Sequence, residues 1–350
     1  MTKYTCPLAE LRSTDEPQFG GKSASLGELL AAGIPVPPGF AVSTAAFRAF
    51  IEESGLDGRI GQAMAHVSPG DVEAIGAVAQ QISQAMHSAP VPDSVRAEVA
   101  RGYAELGDDE PPVAVRSSAL GEDSQDATFA GQQETYLWVR GAEHVCDSVR
   151  DCWVSLYSPP AISYRARLGR DPGEAAMGVT VQLMVDAEIS GVMFTCNPVS
   201  GDRSMVAVNA SWGLGLAVVG GEVTPDDYLV SKVTREVVRE HVQHKDVQYV
   251  PDPSGRGAVR IAVPDERADL RCLDAETLGA LVEVGRRVER HFGAPQDVEW
   301  AIGREDHEIY VVQSRPVTAV PQREKRPPPT SAIAMVLSKF GANVKPDDAD

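Results

Sequence analysis

The chain has 350 residues, 43% of them apolar and 23% charged, which excludes wholesale disorder and suits two lobes or one large composite domain. Fifty acidic residues against 32 basic ones give a formal charge of −18, so a general affinity for nucleic acids or for an anionic membrane surface is excluded. Five scattered cysteines without a C-x-x-C pair, no apolar run near the roughly 18–20 residues of a membrane span, and an opening Met1-Thr2-Lys3-Tyr4 unlike a secretory signal lead to the expectation of a soluble, cytoplasmic protein.

Helical and extended periodicities alternate along the chain, as in a mixed α+β protein. Residues 23–32 carry apolar side chains at helical spacing, with Ser23 as the expected cap and Gly33 as the stop. A proline-rich passage leads into a short strand, Phe40-Ala41-Val42, and Ser43 or Thr44 caps a helix through about Glu53. Helices are predicted over 71–87 and 93–105, and an acidic loop at 107–112 precedes the strand Val113–Ser118. Thr135–Val139 reads as a strand, 143–157 as a helix and Gly178–Val185 as a buried strand. Ile189–Phe194 and Met205–Asn209 are further strands, whereas glycine-rich turns and Thr224-Pro225-Asp226-Asp227 interrupt 213–232. The stretch 274–292 is amphipathic, with Leu278, Leu281, Val282, Val288 and Phe292 on one side. Val298–Ile302 and Ile309–Gln313 form a predicted hairpin around the polar turn Gly303–His307. Residues 321–330 read as a solvated linker.

Two glycine-rich segments imitate nucleotide loops without completing them. Gly21-Lys22-Ser23 ends like a P-loop, but the first glycine of that motif would fall on Glu16. Gly213-Leu214-Gly215 starts like a dinucleotide fingerprint, but its third glycine position holds Val218. Gly20-Gly21-Lys22 still sets a cation after two permissive residues, a geometry that lets phosphate approach or simply a solvated lysine before a helix. Arg116 lies in an apolar strand and needs an anion there, either a structural carboxylate or a ligand phosphate. Thr128–Thr135 is a small-residue loop entering a strand, read locally as an ordinary hairpin or as a backbone cradle. In the last hairpin, alternation puts Asp297 and Glu299 on one face, and antiparallel pairing brings Gln313 and Arg315 toward them. Oxygen donors gathered in this way suit Mg²⁺ together with substrate phosphates, or else an ordinary exposed ion pair.

Four separated strings now stand in one order: GGKSASLGELLAAGIPVPPGF; VAVRSSALGEDSQDATFAGQQETYL; GVTVQLMV followed by SGVMFTCNPVSGD; and DVEWAI followed by IYVVQSRPVT. Over about residues 15–318 they resemble the ATP-binding domain of phosphoenolpyruvate synthases, shared by pyruvate phosphate dikinases and rifampicin phosphotransferases. The resemblance implies an α+β, two-lobed, ATP-grasp-like nucleotide-binding domain over residues 1–320, with lobes of about 1–180 and 181–320 and a flexible linker and tail at 321–350. It implies ATP and Mg²⁺ between the lobes. Lys22, Arg116 and Arg315 match the phosphate-binding, catalytic cations, and Gly131 and Thr135 the loop that closes over the nucleotide. Gln182 matches an adenine-side contact, with Met184 and Val185 nearby. Glu299 and Gln313 match the metal ligands, and Asp297 an accompanying carboxylate.

There are departures from the family pattern. Ser158-Pro159-Pro160 replaces an arginine-bearing approach to Ala161-Ile162-Ser163-Tyr164-Arg165, and Gly213-Leu214-Gly215-Leu216 lacks the usual glutamate. None of the seven histidines sits in the Thr-x-His-Ala setting of the family's phosphate carrier. The expectation is therefore an ATP-dependent phosphotransferase subunit that phosphorylates a histidine on a partner subunit, releasing AMP and phosphate and serving a small-molecule acceptor bound elsewhere. The alternatives are a non-catalytic, nucleotide-responsive binding module and a fragment of a longer phosphoenolpyruvate synthase.

Overall fold

Thirteen strands among the described residues gather into two large antiparallel sheets and one small pair. A computed structural model describes residues 3–65, 67–68, 70–119, 134–168, 175–255 and 257–317. The first sheet holds β1 (Thr5–Pro7), β2 (Gly39–Val42), β3 (Val113–Ala119), β4 (Thr135–Val139) and β5 (Met177–Leu183), in the order β1-β2-β5-β3-β4. The second uses β6 (Ala187–Phe194), β7 (Met205–Trp212), β8 (Asp226–Ser231) and β9 (Val237–His241). Beside that sheet, β10 (Val247–Pro251) pairs with β11 (Ala258–Ala262). The final strands, β12 (Gln296–Gly303) and β13 (Ile309–Pro316), complete the second sheet in the order β13-β12-β6-β7-β8-β9.

Each sheet buries its own apolar cluster. Helices Thr44–Glu53, Val72–Ser88, Asp93–Ala104 and Ala142–Ser155 cover the first, where Phe50 stacks on Trp153 at 5.4 Å beside Val115, Val179 and Val181. The second core joins Val206, Val208, Trp300 and Val311 to Leu278, Leu281, Val282 and Val288 of the helix Ala275–Phe292. The predicted amphipathic face is thus the buried one. Asp274 caps this helix by accepting from the Thr277 amide at 2.8 Å, and Gly293 ends it in the left-handed region.

The helix Gly21–Ala31 belongs to both halves. Leu26 and Leu29 are buried in the second core, each contributing roughly 1.5–3 kcal/mol, while Ser23 Oγ meets Thr180 Oγ1 of β5 at 2.7 Å. Ser23 is therefore not the cap that its spacing suggests. The helix starts two residues earlier, behind Gly20 at φ +82°, where an added Cβ would lie 2.1 Å from the Ser118 carbonyl oxygen. Only glycine lets the chain pass so close to β3.

Other elements depart from the sequence reading for identifiable reasons. Asp226 opens a strand rather than a turn because its carboxylate is buried against Lys245 Nζ at 2.6 Å. Pro159 and Pro160 begin a helix, Pro159–Leu168, since proline is tolerated in a first turn. The helix Leu56–Met64 buries Leu56, Ile60 and Met64 along one face, but Gly58 and Gly61, poor helix formers, mask it in the sequence. The expected linker and tail at 321–350 lie outside the described residues, as does the loop containing Gly131.

Candidate functional site

The hairpin β12–β13 forms with Glu299 opposite Gln313 and Asp297 opposite Arg315. Between Glu299 and Trp300 the register slips, because Trp300 pairs with Val311 and leaves Val312 outside the ladder. A bulge of this kind re-aims one peptide group. The Val312 carbonyl accepts from Arg116 Nη1 at 2.8 Å, across from the first sheet.

Arg116 sits in β3 between Thr180 on β5 and Thr135 on β4. Its side chain is only 11% exposed. Nη2 donates to Glu299 Oε2 at 3.2 Å and to Gln313 Oε1 at 2.5 Å. Residues 183 and 197 positions apart in sequence thus converge on one nitrogen. The anion that a guanidinium in an apolar strand requires is, in this state, a carboxylate of the opposite sheet.

The neighbouring cations are also held by protein oxygens. Lys22, 5% exposed, donates from Nζ to the Ser117 carbonyl at 2.7 Å. Arg315 Nε donates to Asp297 Oδ2 at 2.8 Å. Ser25 Oγ donates to the Ser314 carbonyl at 2.9 Å, tying the Gly21–Ala31 helix to the strand that carries Gln313 and Arg315. Burial pushes the Asp297 carboxyl above the ordinary carboxylate range, and Arg315 opposes that shift. Lys22, Arg116, Asp297, Glu299, Gln313 and Arg315 therefore occupy one junction between the sheets.

An apolar patch continues from this charged junction. Trp138, Ala187, Leu214 and Ala301 are buried together, with Met184, Val185, Tyr249, Ala258 and Val312 half-buried around them. Val312 thus serves both parts, its carbonyl toward Arg116 and its side chain in the patch. Gln182, on β5 just before Met184 and Val185, is buried and donates from Nε2 to the Pro37 carbonyl at 3.1 Å. Thr135 is exposed at the start of β4.

Hard oxygen donors that already converge on a cationic nitrogen fit a small divalent ion, which prefers one or two protein oxygens plus phosphate. Among the described residues, no group of three or more His, Cys, Asp or Glu offers an all-protein metal cage. The chemistry available is exchange: internal ion pairs traded for a polyanion and its counter-ion. Sequence reasoning missed the carbonyls of Ser117 and Val312, which hold Lys22 and Arg116, because a bulge leaves no trace in the side-chain pattern.

Comparison with known proteins identifies the family. Residues 16–333 match the family model of the pyruvate phosphate dikinase AMP/ATP-binding domain. The chain is 40% identical over 343 residues to a "Probable phosphoenolpyruvate synthase" of Methanocaldococcus jannaschii, covering 96% of this chain and 29% of that protein. It is 42% identical over 324 residues to a protein of the same description from Methanothermobacter thermautotrophicus, covering 91% of this chain and 47% of the relative. With the "Phosphoenolpyruvate synthase" of Pyrococcus furiosus it shares 39% identity, covering 89% of this chain and 43% of the relative. The chain thus spans less than half the length of these relatives. Among the described residues no helix is long and apolar enough to cross a membrane.

Proposed function

The chain belongs to the family of the pyruvate phosphate dikinase AMP/ATP-binding domain, and from that premise we propose that it binds Mg·ATP between its two sheets and phosphorylates a histidine on a separate polypeptide. ATP would yield AMP and phosphate, and the phosphohistidine would serve a small-molecule acceptor bound elsewhere. In this reading the protein works in the cytoplasm, as an ATP-grasp-like pair of lobes of about residues 1–180 and 181–320.

The observation that carries the reading is the convergence of Arg116, Glu299 and Gln313 from opposite sheets. Lys22, Arg116 and Arg315 bind the phosphates, trading their present oxygens for those of the triphosphate. Glu299 and Gln313 hold Mg²⁺, with Asp297 orienting Arg315 beside them. When bound, Mg²⁺ supplies charge neutralisation on the phosphate oxygens. Gly131 and Thr135 belong to the loop over the nucleotide, and Gln182 and Met184 to its base side. Phosphoryl transfer asks little covalent chemistry of the protein. These residues accelerate it by positioning and by fixed charge in a site that excludes water.

Titration calorimetry with ATP, with and without Mg²⁺, tests the nucleotide half of this reading. ATP should bind tightly only with the metal, and Glu299→Ala should remove that dependence while preserving the melting profile. Equal ATP affinity with and without Mg²⁺ in the unaltered chain would contradict the metal assignment. Absence of ATP binding under both conditions would end the nucleotide reading.

A further inference from the structure

β13 is an edge strand of the second sheet, with β12 on one side and no strand on the other. An edge leaves backbone groups without ladder partners, and these are met from outside the sheet. Three contacts do this for β13. The Pro35 carbonyl accepts from the Val311 amide at 2.8 Å, Arg116 Nη1 donates to the Val312 carbonyl, and Ser25 Oγ donates to the Ser314 carbonyl at 2.9 Å. Ser314 lies between Gln313 and Arg315, is only 3% exposed, and donates its own hydroxyl to Gln296 Oε1 at 3.0 Å.

Ser25 stands one turn after Lys22 on the helix Gly21–Ala31, so the two side chains share a face. Lys22 reaches the Ser117 carbonyl of β3 in the first sheet, and Ser25 reaches β13 in the second. The far end of the helix is held as well. Glu28 accepts from the Ser13 amide at 2.8 Å and meets His291 Nε2 at 3.0 Å, while Arg287 Nη2 donates to the Gly33 carbonyl at 2.5 Å. Arg287 and His291 belong to the helix Ala275–Phe292, which packs on the second sheet.

These contacts differ in what a polyanion would do to them. In the function proposed above, Arg116 leaves Val312, Glu299 and Gln313 for phosphate, and Lys22 leaves Ser117. A charged donor gains from that exchange, because its bond to phosphate is charge-assisted. The Ser25 hydroxyl is neutral and already satisfied by a backbone carbonyl, so it has little to gain. We propose that Ser25 is a positioning residue: its bond to Ser314 persists when the cations turn to the ligand, and it fixes Arg315 relative to Lys22. The inference rests on the proposed nucleotide site and deepens it, since Ser25 acts through the phosphate-binding cations rather than on the ligand.

The test is titration calorimetry with Mg·ATP, Mg·tripolyphosphate and adenosine. It compares the unaltered chain with Ser25→Ala, Ser25→Thr, Arg315→Ala and the double variant Ser25→Ala/Arg315→Ala. Ser25→Ala should bind ATP and tripolyphosphate about 3- to 10-fold more weakly, the worth of one neutral hydrogen bond, with adenosine within about two-fold. Ser25→Thr keeps a hydroxyl and should stay within about two-fold of the unaltered chain for all three ligands. In the double variant the residue to be positioned is gone, so Ser25→Ala should cost less than about two-fold beyond Arg315→Ala. A serine that merely steadied the fold would not select phosphate ligands or lose its effect without Arg315. Unchanged tripolyphosphate affinity in Ser25→Ala, an equal loss for adenosine, no rescue by threonine, or full additivity with Arg315→Ala would each overturn the positioning role and leave nucleotide binding standing. Failure of the unaltered chain to bind either Mg·ATP or Mg·tripolyphosphate would instead overturn both readings.

Discussion

Arg116 gives its guanidinium three oxygens on the far sheet, from Val312, Glu299 and Gln313. A cation so placed pairs with the oxygens of Glu299 and Gln313 proposed to hold Mg²⁺, and in that proposal phosphate is its alternative partner. Charge-assisted hydrogen bonds contribute about 1.5–3 kcal/mol each, so Arg116→Ala should weaken ATP binding by roughly 10- to 150-fold. Adenosine, which offers no phosphate, should lose no more than a few-fold. Equal losses for the two ligands would show that Arg116 serves only to join the sheets. Much of this arrangement is legible in the sequence, because Asp297, Glu299, Gln313 and Arg315 are polar interruptions in two apolar strands whose period and pairing can be worked out. The partner of Arg116 is not legible. Nothing local distinguishes a carboxylate nearly two hundred residues away from a bound phosphate.

At the scale of single elements, two carboxylates show how local chemistry sets where helices and strands begin. Asp274 accepts from the Thr277 amide, which holds its carboxyl below the ordinary range. A lowered native pKa means that the contribution is present above the unfolded value of about 3.9 and is lost as pH falls through the native value. Asp274→Ala should cost about 1 kcal/mol at pH 7, measured by urea unfolding. Asp274→Asn keeps a capping oxygen without the titration, so the advantage of aspartate over asparagine should shrink from pH 6 to pH 3.5. A constant difference across that range would contradict the cap assignment. Asp226 behaves differently, being fully buried with Lys245 and accepting also from the amides of Gln243 and Cys272. Lys245→Met should cost about 3–5 kcal/mol by leaving that carboxylate without its cation. A loss below about 1 kcal/mol in urea unfolding would show that the amides suffice. The long amphipathic helix is legible because cap, stripe and terminal glycine all agree. The start of β8 is not, since two aspartates after a proline read as a turn until a distant lysine is brought in.

Across the whole molecule, the helix Gly21–Ala31 and the Arg116 side chain both join the two sheets, and the candidate site lies where they do so. Ser23 illustrates why the joint is hard to read in advance. Its hydroxyl suits a helix cap, yet it is used against Thr180 in the sheet below. The relatives extend well beyond the span they share with this chain, and the function proposed above puts the acceptor histidine on a separate polypeptide. A site that closes around phosphate and excludes water leaves ATP without a substitute acceptor. The direct measurement is AMP formation by the purified chain with Mg·ATP, followed by chromatography, alone and with a candidate histidine-bearing polypeptide. The account predicts bound ATP and barely any AMP from the chain alone, then AMP and an acid-labile, base-stable phosphate on the added polypeptide. Sustained AMP formation by the chain alone would contradict it, since the acceptor would then lie within these 350 residues.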